Sequence, residues 1–332
     1  GEYKEAKHTT PQAPELQHVL KTIKDEAHIK NVAMEVSSHA LVQNRVGFCE
    51  FNCAVLTNLT QDHLDYHITM ERYFNAKAML FERLKQGDVA IINNDDSYAE
   101  KFKSVLKEGV KLYTYGVKKE STISASDISF SPKGVSFICK TPEQKYNVHL
   151  SMNGMFSVYN ALAALTVAYA MGLDMTNAIK TLEPLKGVAG RFEVIVHHPL
   201  VIVDYAHTPD GLQNVLNAAR EITPKDNNLI CVFGCGGDRD ATKRPKMGAI
   251  AEKLADKVIV TSDNPRSEDP QQIITDILTG FKSLDDITVE ADRGKAIALI
   301  KDIATENDVV VIAGKGHEDY QILADKTIHF DD

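Results

Sequence analysis

The second half of the chain repeats one pattern, in which a short apolar run of strand length is followed by a helical stretch. The predicted strands end at Val203, Phe233, Thr261, Val289 and Ala313, and a helical stretch follows each of the first four. Such alternation is typical of parallel strands that are joined by helical crossovers. It predicts a Rossmann-like, doubly wound α/β domain over residues 191–332.

The first half also alternates, but less regularly, and it predicts an α/β domain over residues 1–190. Its apolar runs are Val32–Val36, Ala54–Leu59, Val89–Asn93 and Leu112–Tyr115. Its predicted helices are Pro14–Ile29, Met70–Leu84, Ser97–Leu106, Ser157–Met171 and 174–182. Alternating apolar and polar positions over 121–152, around Ser131-Pro132-Lys133-Gly134, indicate a β-meander. Pro184, Gly187 and Gly190 then mark a linker between the domains.

Composition excludes several classes of function. The net charge is −9 with 25% charged residues, so nucleic acid is not an expected partner. No apolar run approaches the ~20 residues needed to cross a membrane, and the first residues lack the apolar core of a signal peptide. The cytoplasm is therefore the expected compartment. The five cysteines form no CxxC pair and are expected to be free thiols.

Polar clusters follow four predicted strands of the second domain. They are 204–207 (DYAH), 234–240 (GCGGDRD), 263–266 (DNPR) and 314–319 (GKGHED). A turn with a helix cap explains any one of them. Because the carboxyl edge of an open α/β sheet is where ligands bind, four clusters at that edge together predict a binding site.

Three further clusters lie in the first domain. The segment 57–67 (TNLTQDHLDYH) carries acidic and histidine side chains that suit a hard cation or proton transfer, or that simply cap the next helix. Glu35 lies at the end of a predicted strand, where a carboxylate can reach a magnesium ion, although Ser37 or Ser38 equally suits a helix cap. Tyr73 and Lys77 are one helical turn apart and share a face.

Taken in order, these strings resemble the Mur ligase family, in particular the members that add the third residue to the UDP-muramyl peptide. The motifs that carry the resemblance are MEVSSHALVQNR, TNLTQDHLDYH, YFNAKAMLF, DYAHTPDGL, FGCGGDRD, KRPKMG, SDNPRSEDP and AGKGHEDYQ. The resemblance implies a central P-loop-type ATPase domain that carries the β-meander, followed by the Rossmann-like domain. It also implies an ATP-dependent ligase that phosphorylates a carboxylate before an amine attacks it.

The resemblance also implies roles for individual residues. The residues implied to hold the UDP-muramyl peptide are Thr9, Thr10, Ser37, Gln43 and Arg45. The residues implied to be catalytic and to hold Mg²⁺ are Glu35, His63 and Lys77, the lysine as a carbamate. The residues implied to contact the nucleotide are Asn160, Arg191, Asp204 and His207. The residues implied to bind the incoming amino acid are Arg239, Asp263, Asn264, Arg266, Gly314 and Glu318.

The incoming amino acid is expected to be meso-diaminopimelate. Family members that add it resemble this sequence at 263–266, whereas those that add L-lysine usually lack the arginine. Diaminopimelate has a second carboxylate, which the Arg266 fork can bind with two parallel hydrogen bonds. Glu318 can pair with an ammonium group. An L-lysine-adding ligase is the alternative within the family.

One family feature is missing from the 332 residues. They contain no G-x-x-x-x-G-K-[ST] phosphate loop, which family members carry upstream of the Thr-Thr-Pro motif. This chain alone is therefore expected not to hydrolyse ATP. A non-catalytic module that binds an amino acid or nucleotide is the alternative outside the enzymes. Relatives are usually monomers, so a monomer is expected.

Overall fold

The computed structural model describes residues 8–25, 29–131 and 134–332. The chain divides into two units. The first takes residues up to 59 together with 66–122, and the second takes 60–65 together with 123–332. This division differs from the domain boundary at 190/191 that the linker residues predict, and that boundary stays a prediction.

The first unit contains three parallel strands that lie in the order β1, β2, β3. Their bounds are Cys53–Leu56 (β1), Val89–Asn93 (β2) and Lys111–Gly116 (β3). Helices in residues 8–122 are α1 (Ala13–Asp25), α2 (Ser38–Val42), α3 (Leu64–His67), α4 (Met70–Glu82) and α5 (Ala99–Ser104). The central strand β2 is buried at all its positions, as expected for a parallel strand that is covered on both faces. Helix α4 packs Phe74 and Phe81 into the core that β1 and β2 line.

Two predictions for the first half need correction. The run Val32–Val36 is not a strand, and Val32 is 53% exposed. A β-branched run becomes a strand only where another strand pairs with it, and none of the described strands does so. The helix predicted over Pro14–Ile29 is confirmed as far as Asp25. Residues 26–28 lie outside the described residues, and Ile29 is not helical.

The second unit begins with the predicted meander, which is confirmed as three antiparallel strands. These are β4 (Ile123–Ser131), β5 (Gly134–Lys140) and β6 (Lys145–Leu150). The turn residues Pro132 and Lys133 lie outside the described residues. Helices α6 (Met155–Ala170) and α7 (Met175–Leu182) follow, close to their predicted positions. The Asp174 side chain caps α7 by accepting the Asn177 N–H at 2.7 Å.

The rest of the second unit is built on a six-stranded sheet in the order β11-β10-β9-β12-β8-β7. Its strands are β7 (Glu193–His197), β8 (Leu200–Asp204), β9 (Leu229–Phe233), β10 (Lys257–Val260), β11 (Ile287–Val289) and β12 (Val309–Ala313). All neighbouring pairs are parallel except β7 with β8. Strand β12 returns to lie between β8 and β9, so loops from distant parts of the sequence meet at one sheet edge.

Helices cover both faces of this sheet, which confirms the predicted doubly wound architecture. They are α8 (Pro209–Ile222), α9 (Arg244–Leu254), α10 (Pro270–Leu278), α11 (Arg293–Ala298) and α12 (Ile300–Ile303). One core cluster joins α8, α9 and α10 to one face, and a second joins α11 and α12 to the other. Side chains of β8 alternate between the clusters, with Ile202 in the first and Val201 and Val203 in the second.

The second unit also contains a small β-ribbon near its C-terminal end. A two-stranded antiparallel ribbon, β13 (Tyr320–Ile322) with β14 (Thr327–His329), follows β12.

Every cysteine is a free thiol, as the sequence predicts. Within the described ranges, no helix has the length and apolar character needed to cross a membrane.

Candidate functional site

The four polar clusters of the second unit follow four adjacent strands, β8, β12, β9 and β10, and they meet at the carboxyl edge of the sheet. The Asn264 amide Nδ2 donates to the Glu318 carboxylate at 2.9 Å, which joins the loops after β10 and β12. The Arg266 guanidinium donates to the Gly237 carbonyl at 2.8 Å, which joins the loops after β10 and β9. The predicted convergence is therefore confirmed, and caps alone do not account for it.

Glycines allow the loops after β9 and β10 to approach so closely. A Cβ atom on Gly237 would lie 1.9 Å from the Pro265 carbonyl oxygen, and one on Gly234 would lie 2.4 Å from the Thr261 carbonyl oxygen. Real Cβ atoms do not come this near to backbone oxygen, so a side chain at either position would force the loops apart. The glycine-rich run 234–237 thus allows the two loops of the site to pack closely against each other.

Glu318 lies at the centre of a hydrogen-bonded group. Its carboxylate accepts from Asn264, from the Tyr205 hydroxyl at 3.5 Å and from the Lys315 ammonium at 3.5 Å. Lys315 is fully buried and also donates to the Tyr320 carbonyl oxygen. The Asn264 side-chain oxygen accepts the Ile322 N–H at 2.9 Å. These contacts fix the Glu318 carboxylate at the sheet edge, where it can attract an ammonium group.

Arg266 is half-buried and is held by its backbone as well as by its side chain. Its φ is 52°, an unusual value for a residue other than glycine, and its N–H donates to the Ile322 carbonyl at 3.1 Å. Only the guanidinium atom Nη1 has partners within the described ranges, namely the Gly237 and Asn264 carbonyls. The remaining nitrogens of the fork can therefore bind a carboxylate. Arg239, on the neighbouring loop, is exposed.

Asp263 and Gly314 occupy the floor of the same edge. The Asp263 side chain is 6% exposed, and its backbone carbonyl accepts the Gln321 amide at 2.6 Å. Gly314 has a φ of 124°, and a Cβ on it would lie 2.6 Å from the Asp263 carboxylate. Glycine is therefore required here, both for its backbone conformation and for the space that Asp263 occupies.

The residues predicted to contact a nucleotide have different environments. The buried Asp204 carboxylate accepts the N–H groups of Phe192 and Ala206, both at 2.7 Å. Burial raises the pKa of Asp204, and the two backbone hydrogen bonds oppose this rise. Asp204 thus organises the loop after β8 through its backbone. Asn160, by contrast, is exposed on α6.

Arg191, which precedes β7, and His207, in the loop after β8, both contact Tyr205. The Arg191 guanidinium lies 4.6 Å from the centroid of the Tyr205 ring, within the range of a cation–π contact. The His207 Nδ1 atom lies 2.9 Å from the Tyr205 carbonyl oxygen. Burial and the nearby Lys243 ammonium lower the pKa of His207, which favours the neutral imidazole.

In the first unit, four of the residues predicted to hold the UDP-muramyl peptide form one connected group. The buried Thr10 hydroxyl donates to the Glu35 carbonyl at 2.9 Å and accepts the Ser37 N–H at 3.0 Å. The Arg45 guanidinium donates to the Thr10 carbonyl at 3.0 Å and to the Gln43 side-chain oxygen at 2.9 Å. The exposed Thr9 precedes this group in the chain.

Ser37 confirms the alternative prediction of a helix cap, because its hydroxyl accepts the Ala40 N–H at the start of α2. The exposed Glu35 does not lie at the end of a strand, although the sequence pattern predicts that it does. Lys77 lies on the predicted face of α4, with its ammonium 5.4 Å from the centroid of the Tyr73 ring. The Tyr73 ring stacks on His67, whose Nε2 lies 2.9 Å from the Ser38 hydroxyl.

His63 belongs to the short segment 60–65 that groups with the second unit. Its φ is 54°, and its N–H donates to the Asp62 carboxylate at 2.8 Å. In the same segment, Gln61 donates to Asp240 at 3.4 Å and accepts from Lys246 at 2.8 Å. In the part of the chain that the structure describes, no group of three or more His, Cys, Asp or Glu side chains is placed to hold a metal ion.

Sequence reasoning gave no role to three buried cations near this edge, Lys315, Arg244 and Arg293. The Arg244 guanidinium forms ion pairs with Glu268 and Asp276, both at 2.8 Å. Lys315 and Arg244 lie within the motifs AGKGHEDYQ and KRPKMG, whereas Arg293 lies outside all the motifs that carry the family resemblance. Because charged residues are almost always exposed, only tertiary packing identifies these three as buried.

Comparison with known proteins agrees with this geometry. Residues 1–168 match the family model described as the Mur ligase middle domain, and residues 190–316 match the model described as the glutamate ligase domain of Mur ligases. Curated relatives include the UDP-N-acetylmuramoyl-L-alanyl-D-glutamate–2,6-diaminopimelate ligases of Synechococcus elongatus and Clostridium botulinum, which are 49% and 48% identical. The alignments cover 98% and 99% of this chain but 66% and 67% of those proteins. The chain therefore spans about two thirds of the length of these relatives.

Solved structures give the same result. A 2,6-diaminopimelate ligase of this type is 39% identical with a TM-score of 0.58, over 90% of this chain and 61% of that one. MurF from Acinetobacter baumannii is 20% identical with a TM-score of 0.66, over 80% of this chain and 57% of that one, and it supports the fold alone. On the sequence motifs, the fold and both domain matches, this chain belongs to the Mur ligase family.

Proposed function

We propose that the protein containing this chain joins meso-diaminopimelate to UDP-N-acetylmuramoyl-L-alanyl-D-glutamate in an ATP-dependent reaction of peptidoglycan precursor synthesis. The named relatives support this reaction, because those that are 49% and 48% identical are ligases for 2,6-diaminopimelate. In the proposed reaction, ATP phosphorylates the carboxylate of the muramyl dipeptide. The amine of the incoming amino acid then displaces the phosphate and forms the peptide bond.

The observation that carries the proposal is that Arg266 and Glu318 lie on two loops that meet at one sheet edge, where Asn264 joins the loops. Diaminopimelate ends in a carbon that carries both an ammonium group and a carboxylate. The unengaged nitrogens of the Arg266 fork suit the carboxylate, and the fixed Glu318 carboxylate suits the ammonium. L-Lysine has the ammonium but lacks the carboxylate, so it would leave the fork unpaired. Arg239, Asp263, Asn264 and Gly314 complete the proposed amino-acid site.

The other substrates are assigned by the family's roles. Thr9, Thr10, Ser37, Gln43 and Arg45 are proposed to hold the UDP-muramyl dipeptide. All of them except Thr9 form one hydrogen-bonded group around Thr10, which supports a common role. Asn160, Arg191, Asp204 and His207 are proposed to form the nucleotide site. The buried Asp204 would act there by ordering its loop, since its carboxylate already accepts two backbone N–H groups.

Magnesium is proposed to be held by Glu35, His63 and Lys77. The donor types fit only if Lys77 is carbamylated, because a carbamate supplies anionic oxygen whereas an ammonium group repels a cation. Lys77 lies beside the Tyr73 ring on one face of α4. When bound, the ion would neutralise charge on the phosphoryl group that is transferred.

Three further properties of the protein are proposed. We propose a domain boundary at 190/191, which the separate family matches to 1–168 and 190–316 support. A monomer, on the family resemblance, and a cytoplasmic location are also proposed. The two competing functions are an L-lysine-adding ligase and a non-catalytic binding module.

The test is amino-acid-dependent ADP release by the complete protein in the presence of UDP-muramyl dipeptide, with either meso-diaminopimelate or L-lysine. Release with diaminopimelate alone is expected. Release with lysine would replace the proposal with the lysine-adding ligase, and no release with either would favour the binding module. The 332-residue chain assayed in parallel is expected to release no ADP.

The arginine's role is tested with Arg266→Met and, as a matched control, Arg220→Met. Arg220 forms an exposed ion pair with Asp256 in the same unit. Losing a charge-assisted fork at a half-buried position costs about 2–3 kcal/mol, which is about 30- to 150-fold in KM for diaminopimelate. The control is expected to leave this KM within about twofold. An unchanged KM in Arg266→Met would refute the assigned role.

A further inference from the structure

Arg293, the first residue of α11, is a buried cation that no step of the proposed reaction uses. Its side chain is 1% exposed. An arginine removed from water costs several kcal/mol unless its donors are paired, so its partners indicate why it is there. Both carboxylate oxygens of Asp332 accept from it, one from Nε and one from Nη2, each at 2.5 Å. This is the two-pronged arginine–carboxylate pair that fixes geometry as well as charge.

The rest of the guanidinium joins two loops of the amino-acid site. Nη1 donates to the Ser262 carbonyl at 3.4 Å, and Nη2 donates to the Ala313 carbonyl at 3.2 Å. Ser262 immediately precedes Asp263, and Ala313 immediately precedes Gly314. One planar group, itself locked by Asp332, therefore contacts the backbone just before both loops.

Three carboxylates near Arg293 stabilise the charge of its buried guanidinium. Burial alone would lower the pKa of Arg293, but Asp332, Asp263 and Glu318 raise it. The site carboxylates Asp263 and Glu318 thus have a permanent cation beneath them. Lys315 is the second buried cation that faces Glu318.

We propose that Arg293, locked by Asp332, is a positioning residue that sets the spacing of the loops after β10 and β12 and thereby the affinity of the amino-acid site. The inference rests on the proposed function, because it assigns those loops to the incoming amino acid. Arg293 does not touch the substrate in this scheme. It acts through the two carbonyls, so its planar fork matters and its charge alone is not sufficient.

The test compares KM values for the three substrates in the complete protein. Arg293→Lys keeps the charge but cannot contact Asp332 and both carbonyls with one planar group. Asp332→Asn keeps the shape but loses one of the charges of the pair. Both variants are expected to raise KM for diaminopimelate by about 10- to 100-fold while KM for ATP and for the muramyl dipeptide changes less than about threefold. Asp332→Glu, which restores the carboxylate, is expected to recover part of the loss.

The control is Arg220→Lys, which alters an exposed arginine–aspartate pair of the same unit and is expected to leave all three KM values unchanged. Thermal unfolding of each variant, followed by circular dichroism, separates loss of fold from loss of affinity. The proposal is overturned if both variants at Arg293 and Asp332 lower only the melting temperature, or if KM rises equally for all substrates. Unmeasurable activity in the wild-type protein would instead refute the proposed function. If Arg293→Lys does not fold, the KM values of Asp332→Asn and Asp332→Glu provide the test of the proposal.

Discussion

Replacing Arg244, the first residue of α9, with methionine should loosen the contact between helices α9 and α10. The guanidinium is 2% exposed and pairs with Glu268 and Asp276, both at 2.8 Å. Removing one member of a buried ion pair costs about 3–5 kcal/mol when the partner is left without water. Here the two carboxylates remain 32% and 33% exposed. Water can therefore solvate them, and we expect a smaller loss of about 2–3 kcal/mol.

Hydrogen exchange measures this loss locally and avoids the assumption that both units unfold together. Peptides from α9 and α10 in Arg244→Met are expected to exchange about 30- to 150-fold faster than in the wild type, because each factor of ten corresponds to about 1.4 kcal/mol. Peptides from α4, in the first unit, should not change. The matched control, Arg220→Met, removes an exposed ion pair and should change exchange by less than about fivefold.

The pH dependence of the stability difference between Arg244→Met and the wild type tests whether the lost ion pairs cause the destabilisation. Hydrogen bonding to Arg244 lowers the pKa of both Glu268 and Asp276 in the folded protein. A carboxylate with a lowered folded pKa contributes stability above its unfolded pKa of about 4, and this contribution disappears as pH falls through the folded pKa. The difference between variant and wild type should therefore shrink as pH falls from about 5 to about 3. A difference that stays constant over this range would refute the electrostatic explanation.

Two other predictions concern residues of the same sheet edge. Gly237→Ala should separate the loops after β9 and β10, because the new Cβ would lie 1.9 Å from the Pro265 carbonyl oxygen, and we expect about 1–3 kcal/mol of destabilisation in urea unfolding. Gly294→Ala, with its nearest neighbour at 3.4 Å, is the control, and equal effects would refute the argument from space. His207→Gln should make stability less dependent on pH below about 6.5, because burial and Lys243 lower the pKa of His207 and the unfolded chain binds that proton more readily. An unchanged pH profile of the urea midpoint would contradict this.

Local pattern was a good guide to elements with strong periodicity. The strand Val89–Asn93 was predicted with its observed bounds, since a fully buried parallel strand is a continuous apolar run that turns delimit. The run Val32–Val36 also begins and ends with a β-branched residue, yet it is not a strand. A strand depends on a partner elsewhere in the chain, and propensity carries no information about that partner.

In the candidate site, too, the sequence predicts some features and leaves others to the tertiary structure. The position of the loops 204–207, 234–240, 263–266 and 314–319 at one sheet edge could be predicted, because parallel strands place their carboxyl ends together. The contacts between those loops could not be predicted from the sequence. The Asn264–Glu318 hydrogen bond and the Arg293 contacts with the Ser262 and Ala313 carbonyls join residues that are far apart in sequence.

The sequence by itself determined the fold class, the family and the identity of most candidate site residues, since strand and helix periodicity and the motif strings are local properties of the chain. Only the tertiary structure decided which charged side chains are buried. Arg244, Arg293 and Lys315 look like surface cations in the sequence, yet all three are almost completely buried. The physical reason is that burying a charge depends on carboxylates and carbonyls that distant segments supply, and those segments meet only when the sheet has formed.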